Sequence, residues 1–134
     1  MFNTNTLIIA VDFDGTIVED AYPKIGKPMV LAFETMKRLQ AQGHRLILWT
    51  YRSGKKLEEA VEYCKKNGVE FYAINKSFPE EFYNEKDSRK INADYFIDDR
   101  NIGGFVGWSE VYRLILNHEP PQPKKKGFFS IFRK

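Results

Sequence analysis

Short apolar runs alternate along the chain with longer segments in which apolar residues recur at helical spacing. The first run, residues 7–11, is apolar at every position, which predicts a central strand buried on both faces. Further strands are predicted over residues 45–49, 69–74 and 93–97. Residues 75–92 show no clear period and are expected to be irregular.

Three helices are predicted between and after these strands. Pro28 is expected to be the first residue of the first helix, because its missing N–H would have no partner there. Ser53 is expected to cap the second helix, and Ser109 the last one, which runs through Leu116. The residues predicted to face inward from the first two helices are Met29, Ala32, Met36, Leu39, Leu57, Ala60, Val61 and Cys64.

Alternating strands and helices predict the α/β class, as a single Rossmann-like domain with a parallel sheet and helices on both faces. Ligands of such sheets bind beyond the carboxyl ends of the strands, where the strand order reverses. Several acidic or polar residues immediately follow the predicted strands, although they are far apart in sequence: Asp12, Asp14, Thr50, Asp98 and Asp99.

Length and charge indicate one domain followed by a distinct tail. A chain of 134 residues suits one core, predicted over residues 1–118, and residues 119–134 form a proline-rich linker with a basic, aromatic end. Five of the 21 Lys and Arg residues follow the last acid, Glu119, so residues 1–119 carry a net charge of −2. The domain therefore shows no specific nucleic-acid signal, and residues 124–134 are compatible with weak contact with an anionic membrane surface or with docking to a partner.

Cysteine content and hydropathy indicate the compartment. Cys64 is the only cysteine, which excludes an intramolecular disulfide and a thiolate metal cluster. The apolar run near the N-terminus is too short to span a bilayer and lacks the features of a signal peptide. A cytoplasmic location is expected.

The acids at the strand ends would repel one another if they met. At about 4 Å and an effective dielectric constant of about 20, two carboxylates repel by roughly 4 kcal/mol. A group of four acids therefore predicts a cation, and an all-oxygen ligand set favours Mg²⁺. The alternative is that the paired acids only cap turns and solvate loops.

The order of these motifs resembles the haloacid dehalogenase (HAD) superfamily. The segment 12–16, Asp-Phe-Asp-Gly-Thr, follows an apolar strand as the first motif of that family does. Residues 46–50 resemble the second motif, a strand ending in a phosphate-binding Thr or Ser, and residues 95–99 resemble the fourth, a strand ending in metal-binding acids. Lys90 occupies the position expected for the lysine of the third motif, although Lys86 lies close by and the choice between them stays open.

The resemblance implies a magnesium-dependent phosphomonoester hydrolase. Asp12 would be the nucleophile that forms an aspartyl phosphate, and Asp14 the general acid and base. The metal would be held by Asp12, Asp14 through its backbone carbonyl, Asp98 and Asp99. The residues expected to contact the substrate phosphate are Gly15, Thr50, Tyr51, Arg52 and Lys90, of which Thr50 and Lys90 also count as catalytic. Arg52 could equally pair with an acid.

The lengths of the segments between the motifs indicate which size of substrate the site could accept. HAD members that act on small metabolites often carry a cap domain after the first motif or between the second and third. The corresponding segments here, residues 16–27 and 75–89, are too short to fold as domains. A capless site is expected, compatible with a large phosphorylated substrate of unknown identity or with a second subunit that covers the site.

Two other interpretations use the same residues. A receiver-type signalling domain also has an acidic Mg²⁺ pocket, but its phosphorylated aspartate follows the third strand, where this chain has Asn75. A non-catalytic module that binds phosphate or metal on the same fold is the second alternative. The intact set of Asp12, Asp14, Thr50 and Asp98 favours an enzyme.

Overall fold

The computed structural model describes residues 6–118. The strands are β1 (Ile8–Val11), β2 (Arg45–Leu48), β3 (Ala73–Ile74) and β4 (Tyr95–Ile97), and the helices are α1 (Ala32–Ala41), α2 (Gly54–Lys66) and α3 (Trp108–Leu116). The tail predicted over residues 119–134, with its membrane contact, lies outside the described residues. None of the helices within residues 6–118 is both long and apolar enough to cross a bilayer.

The four strands form one parallel sheet in the order β3-β2-β1-β4, which makes β1 a central strand as predicted. Val11 is in register with Leu48 of β2 and with Ile97 of β4. The hydrogen bonds continue past the strand ends, because the Asp12 N–H donates to the Ile97 carbonyl at 3.0 Å. The residues that follow these three strands therefore meet at one edge of the sheet.

Both faces of the sheet are covered, but by different parts of the chain. Ile9 and Val11 of β1 belong to a core to which all three helices contribute buried residues. Ala10 and Ile47 face the opposite side, where Ile91 from the irregular segment before β4 covers them. The α/β Rossmann-like class with a parallel sheet is confirmed, but the buried residues of all three helices lie on one face, and irregular chain covers the other face, where helices were also predicted.

Two of the predicted helix starts are wrong. α1 begins at Ala32, not at Pro28, because Pro28 pairs with Val18 in an isolated β-bridge and Leu31 has a left-handed φ of 67°. α3 begins at Trp108 after Gly107, which places Ser109 inside the helix.

The remaining boundaries agree more closely with the pattern. Ser53 precedes α2 as predicted, although its side chain makes no capping hydrogen bond. β3 is shorter than predicted, with two residues, and residues 75–92 contain no helix or strand. This irregular segment and the segment between β1 and α1 border the carboxyl edge of the sheet.

Candidate active site

Three carboxylates meet at the carboxyl edge of the sheet. Asp12 follows β1, and Asp98 and Asp99 follow the neighbouring β4. One oxygen from each of the three lies within 4.8 Å of the others, and all three residues are half-buried. The parallel register of β1 and β4 brings together residues that are 86 and 87 positions apart in the chain.

The surroundings raise the pKa of the Asp12 carboxyl to about 8. Burial is the largest cause, followed by a hydrogen bond with Asp99 and the negative charges of Asp98 and Asp99. Without a cation, Asp12 therefore retains a proton near neutral pH. The uncompensated negative charge and the all-oxygen donor set fit a hard divalent cation such as Mg²⁺.

The hydroxyl of Thr16 lies within hydrogen-bond distance of two of the three acids, Asp12 and Asp99. Its Oγ1 lies 3.3 Å from Asp12 Oδ2 and 3.4 Å from Asp99 Oδ1, so its single proton can be donated to either. The Thr16 side chain is fully buried, and its carbonyl accepts a 2.7 Å hydrogen bond from Trp108 Nε1 of α3. Thr16 belongs to the first motif, but its role beside Asp12 and Asp99 was not predicted from the sequence.

Gly15 has a structural role beside Asp99. Its φ is +86°, and a Cβ at this position would collide with the Asp99 carboxylate. Its N–H donates to the Val18 carbonyl at 2.7 Å, so this amide is used within the loop. The backbone N–H of Gly15 is therefore not available to donate to a phosphate, as its predicted contact would require.

Asp14 does not join the three clustered carboxylates with its side chain. Its two oxygens accept hydrogen bonds of 2.8 Å from Arg52 Nε and Nη2. Four carboxylate groups were expected to meet, but only three do, because the Asp14 carboxylate pairs with Arg52, 38 residues further along the chain. The predicted contribution of its backbone carbonyl to metal binding stays a prediction.

Arg52 is almost completely buried, with 1% of its surface exposed. Its five N–H groups donate to Asp14 and to the carbonyls of Pro23, Lys24 and Lys56. Asp14 is the main cause of the raised pKa of this guanidinium. The interpretation of Arg52 as a phosphate ligand does not match this arrangement, which leaves it no free donor, whereas the alternative of pairing with an acid is confirmed.

Thr50 is held at the end of β2 by two hydrogen bonds. Its backbone N–H donates to Asn75 Oδ1 at 2.8 Å, and its Oγ1 accepts the Arg52 backbone N–H at 3.1 Å. Asn75 adopts a left-handed φ of 55° directly after β3. Asn75 therefore positions Thr50. This role depends on the pairing of β2 with β3, so it could not be predicted from the sequence of either strand alone.

A cavity of about 760 Å³ opens over these residues. The predicted residues on its wall are Asp12, Asp14, Thr50, Tyr51 and Asp98. Four residues that were not predicted as site residues also line it: Asp20, Tyr22, Trp49 and Arg100. Arg100 directly follows Asp99 in the sequence. Asp20 and Tyr22 come from the loop before α1, whose position the sequence did not predict. We call this space the acidic cavity.

Lys90 and Lys86 are both exposed, but only Lys90 borders the site. Lys90 lines a second cavity that shares Trp49, Thr50 and Tyr51 with the acidic cavity. Its Nζ lies 5.8 Å from the centre of the Phe96 ring. Lys90 thus lines the neighbouring cavity and not the acidic cavity, and its contact with phosphate stays a prediction.

The fold and site define an α/β protein with an acidic cavity at the carboxyl edge of a parallel sheet. A solved structure of a conserved protein coded by a locus from Bacteroides thetaiotaomicron is similar to it, with 53% sequence identity and a TM-score of 0.81. The similarity covers 86% of this chain and 93% of that one, so this chain belongs to the same family as that protein. No protein-family model matches the chain, and no curated protein matches it either.

Proposed function

We propose that the protein is a magnesium-dependent phosphomonoester hydrolase of the HAD type, with Asp12 as the nucleophile. The observation that carries the proposal is the meeting of Asp12, Asp98 and Asp99 at the end of the central strand. The order of the HAD-like motifs along the chain supports it, because the strands of the first, second and fourth motifs all end at this same edge of the sheet.

Asp12, Asp98 and Asp99 would hold the metal, together with the backbone carbonyl of Asp14. Bound there, Mg²⁺ would neutralise the phosphate oxygens and the carboxylates at the same time. Thr16 supports this assignment, because its hydroxyl fixes the positions of Asp12 and Asp99 from the buried side. The raised pKa of Asp12 also supports the assignment, because burial beside the negative charges of Asp98 and Asp99 is a setting in which a cation would stabilise the ionised carboxylate.

In the proposed reaction, an oxygen of Asp12 attacks the phosphorus and the bond to the leaving oxygen breaks. Asp14 donates a proton to that leaving oxygen, and the product is an aspartyl phosphate on Asp12. Water then attacks the same phosphorus and gives a proton to the Asp14 carboxylate, which releases inorganic phosphate, frees the Asp12 carboxylate and leaves Asp14 protonated for the next turnover. Splitting hydrolysis in this way replaces one difficult step by two easier ones.

The geometry of Asp14 is compatible with this role. Each of its oxygens accepts one N–H from Arg52, which leaves each oxygen a further lone pair. Asp14 lines the acidic cavity beside Asp12, so a proton can be exchanged there while the guanidinium fixes the carboxylate. Arg52 thus acts as a positioning residue for the proposed acid and base.

The test is hydrolysis of p-nitrophenyl phosphate by the full chain, with Mg²⁺ or with a chelator. We expect activity that requires Mg²⁺ and falls by at least about a thousandfold in Asp12→Asn, because the nucleophile is lost. Asp20→Asn is the matched control, since Asp20 lines the same cavity but has no proposed part in the reaction. Full activity of Asp12→Asn, or equal losses in both variants, would contradict the proposal.

A further inference from the structure

The second cavity, next to the acidic cavity, has the opposite charge character. It has a volume of about 390 Å³ and adjoins the acidic cavity along Trp49, Thr50 and Tyr51. Three cations line it, Lys76, Arg89 and Lys90, against the two acids Glu81 and Asp87. We call it the cationic cavity.

The three cations of this cavity outnumber its two acids and are not ion-paired with them. Within residues 6–118, none of the three forms an ion pair. Glu81 is partly engaged elsewhere, because its Oε1 accepts the Ser77 N–H at 2.7 Å. Arg89 lies over the Tyr83 ring at 4.4 Å, which supports the guanidinium without consuming its N–H groups.

The charged residues that line the two cavities differ in sign, so the cavities favour different groups of a substrate. Asp12, Asp20 and Asp98 line the acidic cavity with a single cation, Arg100, while Asp14 is neutralised by Arg52, so an anion not shielded by a metal is repelled there. A molecule that carries one phosphate at Asp12 and a second anionic group elsewhere therefore has one favourable orientation. In that orientation its second anion lies beyond Thr50, among the three cations.

We propose that the cationic cavity receives the leaving group of the substrate, and that this leaving group carries a second anion, either a carboxylate or a second phosphate. The inference rests on the proposed phosphatase function and names its substrate class. Lys76 and Arg89 are the residues assigned to specificity, because Lys90 already has a predicted role at the transferred phosphate. Lys76 directly follows Asn75, whose Oδ1 accepts the N–H of Thr50, a residue that lines both cavities.

The test compares phenyl phosphate with 4-carboxyphenyl phosphate and 1,4-phenylene bisphosphate, which add a carboxylate or a second phosphate to the same ring. We expect kcat/KM to be about tenfold or more higher for one of the two charged substrates, the size of one hydrogen bond to a charged group. Which of them gains more identifies the second anion as carboxylate or phosphate. Equal kcat/KM for all three substrates overturns the inference but leaves the phosphatase function intact.

Variants connect this preference to the cavity. In Lys76→Gln combined with Arg89→Gln, the ratio of kcat/KM between charged substrate and phenyl phosphate is expected to fall to about one. Lys37→Gln, which removes a charge on α1 away from both cavities, is expected to keep the wild-type ratio. A ratio that survives the double substitution, or falls equally in Lys37→Gln, overturns the assignment.

Binding can be measured without turnover. Ligand-observed NMR on the metal-free full chain is expected to show binding of 4-hydroxybenzoate, which carries the second anion without the phosphate, and weaker binding of phenol. The double variant is expected to lose the difference between 4-hydroxybenzoate and phenol. Equal signals for these two ligands in the wild-type protein contradict the cationic cavity as an anion site, whatever the outcome of the hydrolysis assay.

Discussion

Arg52 and Asp14 form a bidentate ion pair, with Nε and Nη2 each 2.8 Å from a carboxylate oxygen. The rings of Phe13 and Tyr22 lie 5.0 Å and 5.2 Å from the guanidinium carbon. Because the same arginine also bonds to carbonyls at Pro23, Lys24 and Lys56, it joins the end of β1, the following loop and the start of α2. One buried side chain thus fixes one wall of the acidic cavity.

Removing this arginine should destabilise the fold. Arg52→Gln is expected to lower the free energy of unfolding by roughly 3 kcal/mol or more, because Asp14 would lose its partner in a mostly buried position. Urea unfolding followed by circular dichroism measures the change. Arg113→Gln is the matched control, since it breaks an exposed bidentate pair with Glu110 and should have a much smaller effect. Similar midpoints for the two variants would contradict the structural role of Arg52.

The close approach of Gly15 and Asp99 gives a second prediction. Gly15→Ala should destabilise the protein by more than the roughly 1 to 3 kcal/mol of left-handed strain, because its Cβ would also collide with Asp99. Gly103→Ala is the control, since Gly103 has a φ of +96° and open space around it. Calorimetric melting of both variants, with and without Mg²⁺, tests this. Equal melting temperatures would show that Asp99 does not constrain position 15.

The raised pKa of Asp12 predicts a pH dependence of stability in the absence of metal. Between its ordinary value of 3.8 and about 8, the folded chain binds more protons at Asp12 than the unfolded chain does. The free energy of unfolding should therefore fall as the pH rises towards 8. Asp12→Asn removes this dependence, so its gain in melting temperature over the wild-type protein should be larger at pH 8 than at pH 6.5.

His44 sets the lower limit of this pH window. Burial lowers the pKa of His44, so its contribution to stability is lost as the pH falls below 6.5, in the opposite direction to that of Asp12. Both the wild-type protein and Asp12→Asn contain His44, so the difference between their melting temperatures isolates the contribution of Asp12. A difference in melting temperature that is the same at both pH values would contradict the raised pKa.

The two candidate lysines of the third motif can be separated by substitution. Lys90→Gln should reduce phosphatase activity more than Lys86→Gln, because only Lys90 lines a cavity that Thr50 also lines. We expect the difference to be at least about tenfold in kcat/KM, as for the loss of one hydrogen bond to a charged group. Steady-state kinetics with p-nitrophenyl phosphate measure it. A larger loss in Lys86→Gln would assign the third motif to Lys86.

The sequence predicted the parts of the site that are fixed by single strands. The apolar runs before Asp12, Thr50 and Asp98 determine where β1, β2 and β4 end, and parallel strands bring those ends to one edge. The fold class followed from the same alternation of strands and helices. These features are local in sequence or general to parallel sheets, so no knowledge of particular long-range contacts was needed.

The features that the sequence missed depend on contacts between distant residues. The pairing of Arg52 with Asp14 spans 38 positions, and the hydrogen bond from Trp108 to the Thr16 carbonyl spans 92. Pro28 fits the first turn of a helix by its own preference, but the bridge to Val18 determines its conformation instead. A propensity describes one residue at a time and cannot anticipate which distant partner fixes it.

The most direct measurement of the central claim is the detection of the phosphorylated enzyme. The full chain is mixed with phosphorylated substrate and Mg²⁺, quenched in acid within a turnover, digested and mapped by mass spectrometry. We predict one added phosphoryl group on the peptide that contains Asp12, absent without Mg²⁺ and absent in Asp12→Asn. Hydrolysis of the substrate by a chain that never carries phosphate on Asp12 would contradict the proposed mechanism.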